Sequence, residues 1–291
     1  MSSTYFRGKV AVITGAGSGI GRALSLELAR SGAVLALSDV DMVGLAATER
    51  LATVEGAVVH TRSLDVTDRG AVLAYADEVA ADLGKVNLVF NNAGIGVLGS
   101  VADLSFDQFQ RVIDVDLMGV VHGTKAFLPH LVASGDGHVV NLSSMFGFVG
   151  IANQSPYNAA KFAVRGFTEA LRQEMLGTGT PVAVTCVHPG GIKTNIARNS
   201  AIAGVEAVEV NNKFEETFFR MTAERAAQII LKGVRKRKAR VHVGMDAVAM
   251  DLLSRVAGPH YQRVTMLMTR LMPEPTLPAA RSQAAEHRKV S

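Results

Sequence analysis

Cysteine is almost absent from this chain: Cys186 stands alone among 291 residues. No internal disulfide can form, and a cysteine metal cluster has no ligands to build on. Cys186 lies in the apolar run 182–187, the setting of a buried strand thiol rather than a reactive one. None of the eight histidines falls in an HxxxH or HExxH pair, so no metal is expected. No run of about 18 apolar residues offers a membrane span. The N-terminal stretch MSSTYFRGK lacks a charged-then-apolar leader pattern, and a cytoplasmic protein is expected. Internal repeats are missing, and nothing in the first 245 residues resembles a linker.

What is present is core material. Hydrophobic residues make up 48% of the chain against 19% charged, which excludes wholesale disorder. The net charge of +4 is local in origin: Lys232, Arg235, Lys236, Arg237, Lys238 and Arg240 fall in one short stretch, and the remainder holds 24 basic against 26 acidic residues. Nucleic acid is therefore not an expected partner; the stretch reads as a solvated helix end, with an anionic surface as the alternative. The expected organisation is a catalytic domain over 1–245, a helical extension over 246–272, and a mobile tail over 273–291 containing proline and alanine.

Short apolar runs at 10–14, 34–37, 58–64 and 88–90 alternate with segments of helical spacing that end at Gly32, Gly56 and Gly84. The second half continues the scheme. Ser105 and Gln108 predict a capping box for a helix reaching about Ser134, followed by a strand at 138–142. Ser155 and Pro156 read as the cap and first turn of a helix to about Leu176, and strands follow at 182–187 and 241–243. Such alternation predicts an α/β fold: a doubly wound, Rossmann-type parallel sheet of about seven strands with helices on both faces, plus the C-terminal helical extension.

Residues 14–21 read TGAGSGIG between the first strand and helix. Gly15 permits a tight turn, Gly19 lets backbone approach a pyrophosphate, and Gly21 lets the helix pack on the strand, with Ser18 and Ile20 at its amino end. Asp39 ends the second strand 24 residues after Gly15, close to the spacing at which a carboxylate holds the adenosine ribose. That charge repels a 2′-phosphate, and no basic residue adjoins it in sequence, so NAD is the expected cofactor rather than NADP. Asp41 competes with Asp39, both for this role and for capping the next helix.

Tyr157 and Lys161 lie four apart on a predicted helix and so share one face. A tyrosine of ordinary pKa near ~10 is a poor base at neutral pH, and an adjacent ammonium favours its phenolate. With the glycine turn, Asp65-Val66, Asn91-Asn92-Ala93-Gly94, Ser144, Tyr157-x-x-x-Lys161 and Pro189-Gly190 followed by Thr194, residues 7–195 resemble the short-chain dehydrogenase/reductase family. The resemblance implies that Ser144 binds the substrate oxygen and Tyr157 exchanges its proton, while Lys161 lowers the tyrosine pKa and holds the nicotinamide ribose. It implies that Asp65 and Val66 contact adenine, that Asn92 and Gly94 border the cofactor, and that Pro189, Gly190, the Ile192 backbone and the Thr194 hydroxyl hold the nicotinamide end. Ser143 competes with Ser144, though spacing favours the latter. Asp116 stands where the family carries a catalytic asparagine, which puts the rate and pH optimum in question more than the reaction. His188, before the proline-glycine pair, reads as structural.

The implied activity is NAD-dependent interconversion of an alcohol with a ketone or aldehyde. An NADPH-dependent ketone or ketoacyl reductase is the alternative, and a non-catalytic nucleotide-binding scaffold a more distant one. A lid is expected over about 195–222, where Phe214, Phe218 and Met221 recur at helical spacing beside Phe219, suggesting an apolar substrate. The family resemblance also implies a homodimer or homotetramer through the helices bearing Asp116 and Tyr157. In the extension, Tyr261, Val264, Met268 and Leu271 share a face. It is expected to pack on the protein itself or a second subunit, with peripheral contact to anionic membranes as the less favoured reading.

Overall fold

The computed structural model describes residues 4–193, 201–202 and 221–271. All five residues of β1 (Val10–Thr14) are buried, which explains why it reads as an unbroken apolar run. Ala11 and Ile13 join one hydrophobic cluster, and Val10 and Val12 join another. Both faces of the sheet are therefore covered. On the first lie α1 (Gly19–Arg30), α2 (Met42–Val54) and α7 (Ala223–Arg235), through Leu24, Leu28, Leu45, Ile230 and Val234. On the second lie α3 (Arg69–Leu83), α5 (Gly119–Ser134) and α6 (Ser155–Thr178), through Val72, Tyr75, Phe127, Leu131 and Leu171.

Seven strands run parallel in the order β3-β2-β1-β4-β6-β7-β9, where β2 is Val34–Asp39, β3 Val59–Ser63, β4 Leu88–Asn91, β6 Gly137–Leu142, β7 Val182–Pro189 and β9 Arg240–Val243. The order reverses between β1 and β4. Loops leaving the carboxyl ends of those neighbours diverge, and a crevice opens between them. Thr14, Asp39, Asn91 and Pro189 all end their strands, and Ser143 and Ser144 immediately follow β6. A pair the sequence reading lacks, β5 (Val97–Leu98) with β8 (Ala201–Ile202), forms a separate two-stranded sheet.

Two helical expectations need correction. The capping box is real: the Gln108 N–H donates to Ser105 Oγ at 3.1 Å, and the Ser105 N–H donates to Gln108 Oε1 at 3.0 Å. The helix is not continuous, however, because α4 (Phe106–Ile113) passes through a π turn, Asp114–Met118, before α5. A π turn inserts one residue into the helical register, a change that apolar spacing does not register. In α6, Ser155 is the first helical residue and Gln154 occupies the cap position, with Pro156 in the first turn, where its missing N–H costs no bond.

Beyond β9 come α8 (Met245–Ala257) and α9 (Tyr261–Leu271), separated by a turn at Gly258–His260 that opens on Gly258 and Pro259. α8 leaves Met245, Val248, Leu252 and Val256 exposed. Within the basic stretch, Arg237 pairs with Asp136, and Arg240 with Glu169 and Asp251, so part of that charge is neutralised internally. No helix among the described residues is long and apolar enough to cross a membrane. Most of the expected lid, with Thr194, Phe214, Phe218 and Phe219, and the tail 273–291 lie outside the described residues.

Candidate active site

The crevice begins at the glycine turn. Gly15 has φ +66°, and a Cβ there would stand 2.8 Å from Ala93 Cα, so neither the backbone angle nor the space admits a side chain. At Gly21 a Cβ would lie 2.1 Å from the Gly15 carbonyl oxygen. The turn is stitched to the Asn92 loop: Thr14 Oγ1 accepts the N–H groups of Asn92 and Ala93, each at 3.1 Å, and Asn92 Nδ2 donates to the Thr14 and Gly15 carbonyls at 2.9 and 3.1 Å. Ser18, in extended conformation at the N-cap of α1, makes no side-chain capping bond. Gly19 and Ile20 open that helix, and its first amides and positive dipole end form a cradle for an anion.

The two candidate aspartates at β2 divide the work. Asp41 is the cap of α2, accepting from the N–H groups of Val43 and Gly44 at 3.1 and 3.0 Å. Asp39 is not a cap. Its Oδ2 accepts the Gly17 N–H at 2.7 Å and its Oδ1 the Asp41 N–H at 2.9 Å, which fixes a half-buried carboxylate against the glycine turn. Arg22, which the sequence reading missed, braces this corner through Thr48 Oγ1 at 2.9 Å and the carbonyls of Gly44, at 3.2 Å, and Gly17. Thr48 in turn donates to the Ala16 carbonyl at 2.9 Å. Neither residue has a sequence signature, since each occupies an ordinary position within a helix. Further along, Asp65 is exposed and accepts from the N–H and hydroxyl of Thr67, while the Val66 carbonyl meets His122 Nδ1 at 3.0 Å.

Across the crevice, Ser143 and Ser144 differ in what they hold. Ser143 Oγ donates to the Lys161 carbonyl at 2.8 Å and so serves the backbone of α6. Ser144 Oγ accepts the Phe146 N–H at 3.1 Å, and its hydroxyl acts on Tyr157 to lower that residue's pKa. Asn158, another residue the sequence reading missed, fixes the loop between them: its Nδ2 donates to the carbonyls of Phe146 and Val149, both at 2.9 Å, and its Oδ1 accepts the Ile151 N–H at 3.1 Å. It sits inside the Tyr-to-Lys interval, where helical spacing alone gives it no role. His188 has the structural role expected of it. Burial holds its pKa down at about 3, so the ring is neutral and Nδ1 donates to the Ser144 carbonyl at 2.9 Å.

Tyr157 and Lys161 share a face of α6, with Lys161 Nζ 5.3 Å from the tyrosine ring centroid. Lys161 is buried, donates to the Leu142 carbonyl at 3.3 Å, and forms an ion pair with Asp116 Oδ2 at 2.9 Å. Asp116, fully buried in the π turn, uses Oδ1 to accept the Ile95 N–H at 2.7 Å. Burial alone would lower the Lys161 pKa, but Asp116 and then Tyr157 outweigh it and hold the ammonium above its ordinary value. Tyr157 also sits above its ordinary value: burial pushes it up, Lys161 pulls it down, Asp116 opposes that pull, and the Ser144 hydroxyl lowers it again. Lys161 thus pulls the Tyr157 pKa down as expected, but burial and Asp116, the residue at the family's asparagine position, oppose it and prevail.

Pro189 ends β7, the Gly190 N–H donates to the Val243 carbonyl at 2.9 Å, and Ile192 is buried in a parallel bridge with Met221. Gly94 adjoins Asp116, 3.2 Å from carboxylate oxygen to the point a Cβ would occupy. Away from the crevice, His60 Nε2 lies 3.2 Å from Glu78 and 3.4 Å from Asp82, while Arg62 also pairs with Glu78.

The profile of the short chain dehydrogenase family matches residues 9–203. SadH of Mycobacterium tuberculosis, provisionally assigned as an oxidoreductase, is 59% identical over 263 residues, 89% of this chain and 94% of SadH. Mouse epidermal retinol dehydrogenase 2 is 39% identical over 191 residues, 65% of this chain and 62% of its own. A short-chain dehydrogenase/reductase from Burkholderia phymatum, solved in complex with NAD, superposes with a TM-score of 0.79 at 29% identity, covering 95% of this chain and 99% of the other. The chain belongs to the short-chain dehydrogenase/reductase family of oxidoreductases.

The ion pair makes a stability prediction. Removing one partner of a buried pair strands the other charge, so Asp116→Ala should lower the unfolding free energy by about 3–5 kcal/mol. The double variant Asp116→Ala/Lys161→Met should lose less than Asp116→Ala alone. Urea unfolding at neutral pH measures both, and losses that simply add would contradict the coupling.

Proposed function

We propose that this protein is an NAD-dependent dehydrogenase that interconverts an apolar alcohol with its ketone or aldehyde, with Tyr157 as acid and base. The observation that carries the reading is the convergence of Ser144, Tyr157, Lys161 and Asp116 beside a glycine turn whose helix amides and Asp39 suit a dinucleotide. Gly15, Ser18, Gly19 and Ile20 would hold the pyrophosphate; Asp39 the adenosine ribose; Asp65 and Val66 the adenine. Asn92, Gly94, Pro189, Gly190, Ile192 and Thr194 would border the nicotinamide half. A bound nicotinamide dinucleotide supplies the hydride acceptor or donor.

In oxidation, Tyr157 takes the hydroxyl proton as the carbon–oxygen double bond forms; in reduction it returns that proton. The Ser144 hydroxyl orients the substrate oxygen and supports its developing charge. Lys161 keeps a positive charge beside Tyr157, and Asp116 moderates it. A tyrosine held above its ordinary pKa is protonated at neutral pH, which suits it as donor in reduction and makes oxidation favour alkaline conditions.

The substrate class rests on the apolar neighbours of Ser144 and Tyr157. Met145 and Phe146 follow Ser144, with Phe146 edge-on to Tyr157 at 6.3 Å, and Ile95, Val97 and Leu117 belong to the hydrophobic cluster against which Tyr157 packs. These side chains favour an apolar alcohol, a class to which the retinol of the mouse relative's name also belongs.

Tyr157→Phe removes the phenolic oxygen and leaves the ring, so turnover should fall by about a hundredfold or more while NAD affinity changes little. Retention of more than a few per cent of wild-type turnover, at the reduced-nicotinamide absorbance, would sink the proton chemistry. The cofactor preference has its own test. Arg22, the cation that braces the same corner, already donates to the Gly17 and Gly44 carbonyls and to Thr48, so it is engaged elsewhere while the Asp39 charge would repel an incoming 2′-phosphate. The wild type should prefer NAD in kcat/KM, and Asp39→Ala should flatten or reverse the preference. Equal wild-type kcat/KM for NAD and NADP would rule Asp39 out as the selector.

A further inference from the structure

The family profile ends at residue 203, yet the two helices that follow β9 reach back into the crevice. Asp246, in the first turn of α8, lies 55 residues after Gly191, and its Oδ2 accepts the Gly191 N–H at 2.6 Å. Its Oδ1 accepts the Ala247 N–H at 2.9 Å. Gly190 is shaped to this carboxylate: a Cβ at Gly190 would stand 2.2 Å from either oxygen of Asp246. The same segment is where the chain returns after residue 220. The Lys193 N–H donates to the Met221 carbonyl at 2.9 Å, and Ile192 pairs with Met221, so both ends of residues 194–220 are joined beside Asp246.

The extension holds the opposite wall as well. Tyr261, at the start of α9, accepts the Gly150 N–H on its hydroxyl oxygen at 3.0 Å, across 111 residues. Gly150 belongs to the loop that Asn158 fixes after Ser144. A third thread runs through α8. Asp251 Oδ2 meets His242 Nε2 at 2.9 Å, His242 stacks on Phe148 at 5.5 Å, Phe148 stacks on His188 at 4.0 Å, and His188 holds the Ser144 carbonyl.

We infer that the C-terminal extension is part of the active site, and that Asp246 is a positioning residue whose carboxylate sets the Gly190–Ile192 backbone where the nicotinamide end of the dinucleotide is received. The inference rests on the cofactor reading above. An acidic residue in the first turn of any helix is favourable on its own. That general role would change thermal stability and leave cofactor affinity alone, whereas the Gly191 bond ties Asp246 to one end of the cofactor.

Calorimetric titration of the full-length protein with NAD and with ADP-ribose, which lacks the nicotinamide, separates these roles. In Asp246→Ala, the NAD dissociation constant should rise about tenfold, ADP-ribose should bind within about twofold of wild type, and kcat at saturating NAD should fall less than about threefold. Asp246→Asn, which keeps an oxygen to accept the Gly191 N–H, should recover NAD binding to within about threefold. Asp246→Ser keeps a polar group at the helix start without the reach to Gly191; it should behave like the alanine variant and serves in its place if that variant does not fold. NAD affinity within about twofold of wild type in the folded alanine or serine variant overturns the inference, as does equal weakening of NAD and ADP-ribose. Failure of the wild type to bind NAD would instead refute the cofactor reading on which the inference stands.

Discussion

A lysine ammonium and a carboxylate 2.9 Å apart, both shut off from water, join the parts of this active site that come from distant stretches of chain. Lys161 arrives on α6, Asp116 on the π turn between α4 and α5, and their remaining bonds reach Leu142 at the end of β6 and Ile95 after β4. Each charge would be costly in this interior without the other. Together they lock the strand ends, the helix and the turn in one arrangement, and Tyr157 and Ser144 inherit their positions from it. The carboxylate also changes the chemistry. A lone lysine beside a partly buried tyrosine would draw the phenol toward ionisation; a lysine already paired does so less, and the removal of water prevails.

The rest of the molecule can be read as support for that arrangement. A parallel sheet buried on both faces delivers its carboxyl ends to one edge, and three of those ends carry a polar residue with a defined task. Thr14 anchors the Asn92 loop, Asp39 anchors Gly17, and Asn91 bonds to Asn141, which bonds to Thr168 of α6. These bonds cross the sheet and its flanking helices at the level of the site. The C-terminal helices close the circuit from outside, through Asp246 at one wall and Tyr261 at the other.

Much of this was legible in the sequence because it depends on local pattern. Apolar runs ending in glycine announce buried parallel strands, TGAGSGIG announces a strand-turn-helix, and a Tyr–Lys pair four apart on one helix announces a shared face. What escaped depends on register or on long-range pairing. The π turn leaves no trace in apolar spacing; the place of Asp116 beside Lys161 came from the family resemblance and not from local pattern. Arg22, Thr48, Asn158 and Asp246 occupy ordinary helix positions, and their partners lie in other loops. Asp39 and Asp41 could not be told apart by spacing, because both sit at the junction of strand and helix; only the hydrogen bonds assign the cap to Asp41.

The central claim is that Asp116, by its own charge and through Lys161, adds to burial in holding the Tyr157 pKa up. The most direct measurement is the pH dependence of kcat/KM for alcohol oxidation in the wild type and in Asp116→Asn, which keeps an oxygen to accept the Ile95 N–H but loses the charge. Oxidation needs the tyrosine without its proton, so the rate rises with pH through the Tyr157 titration. Removing a carboxylate that pushes the Tyr157 pKa up should carry that ascending limb to lower pH. A limb that stays in place, or moves to higher pH, would contradict the account.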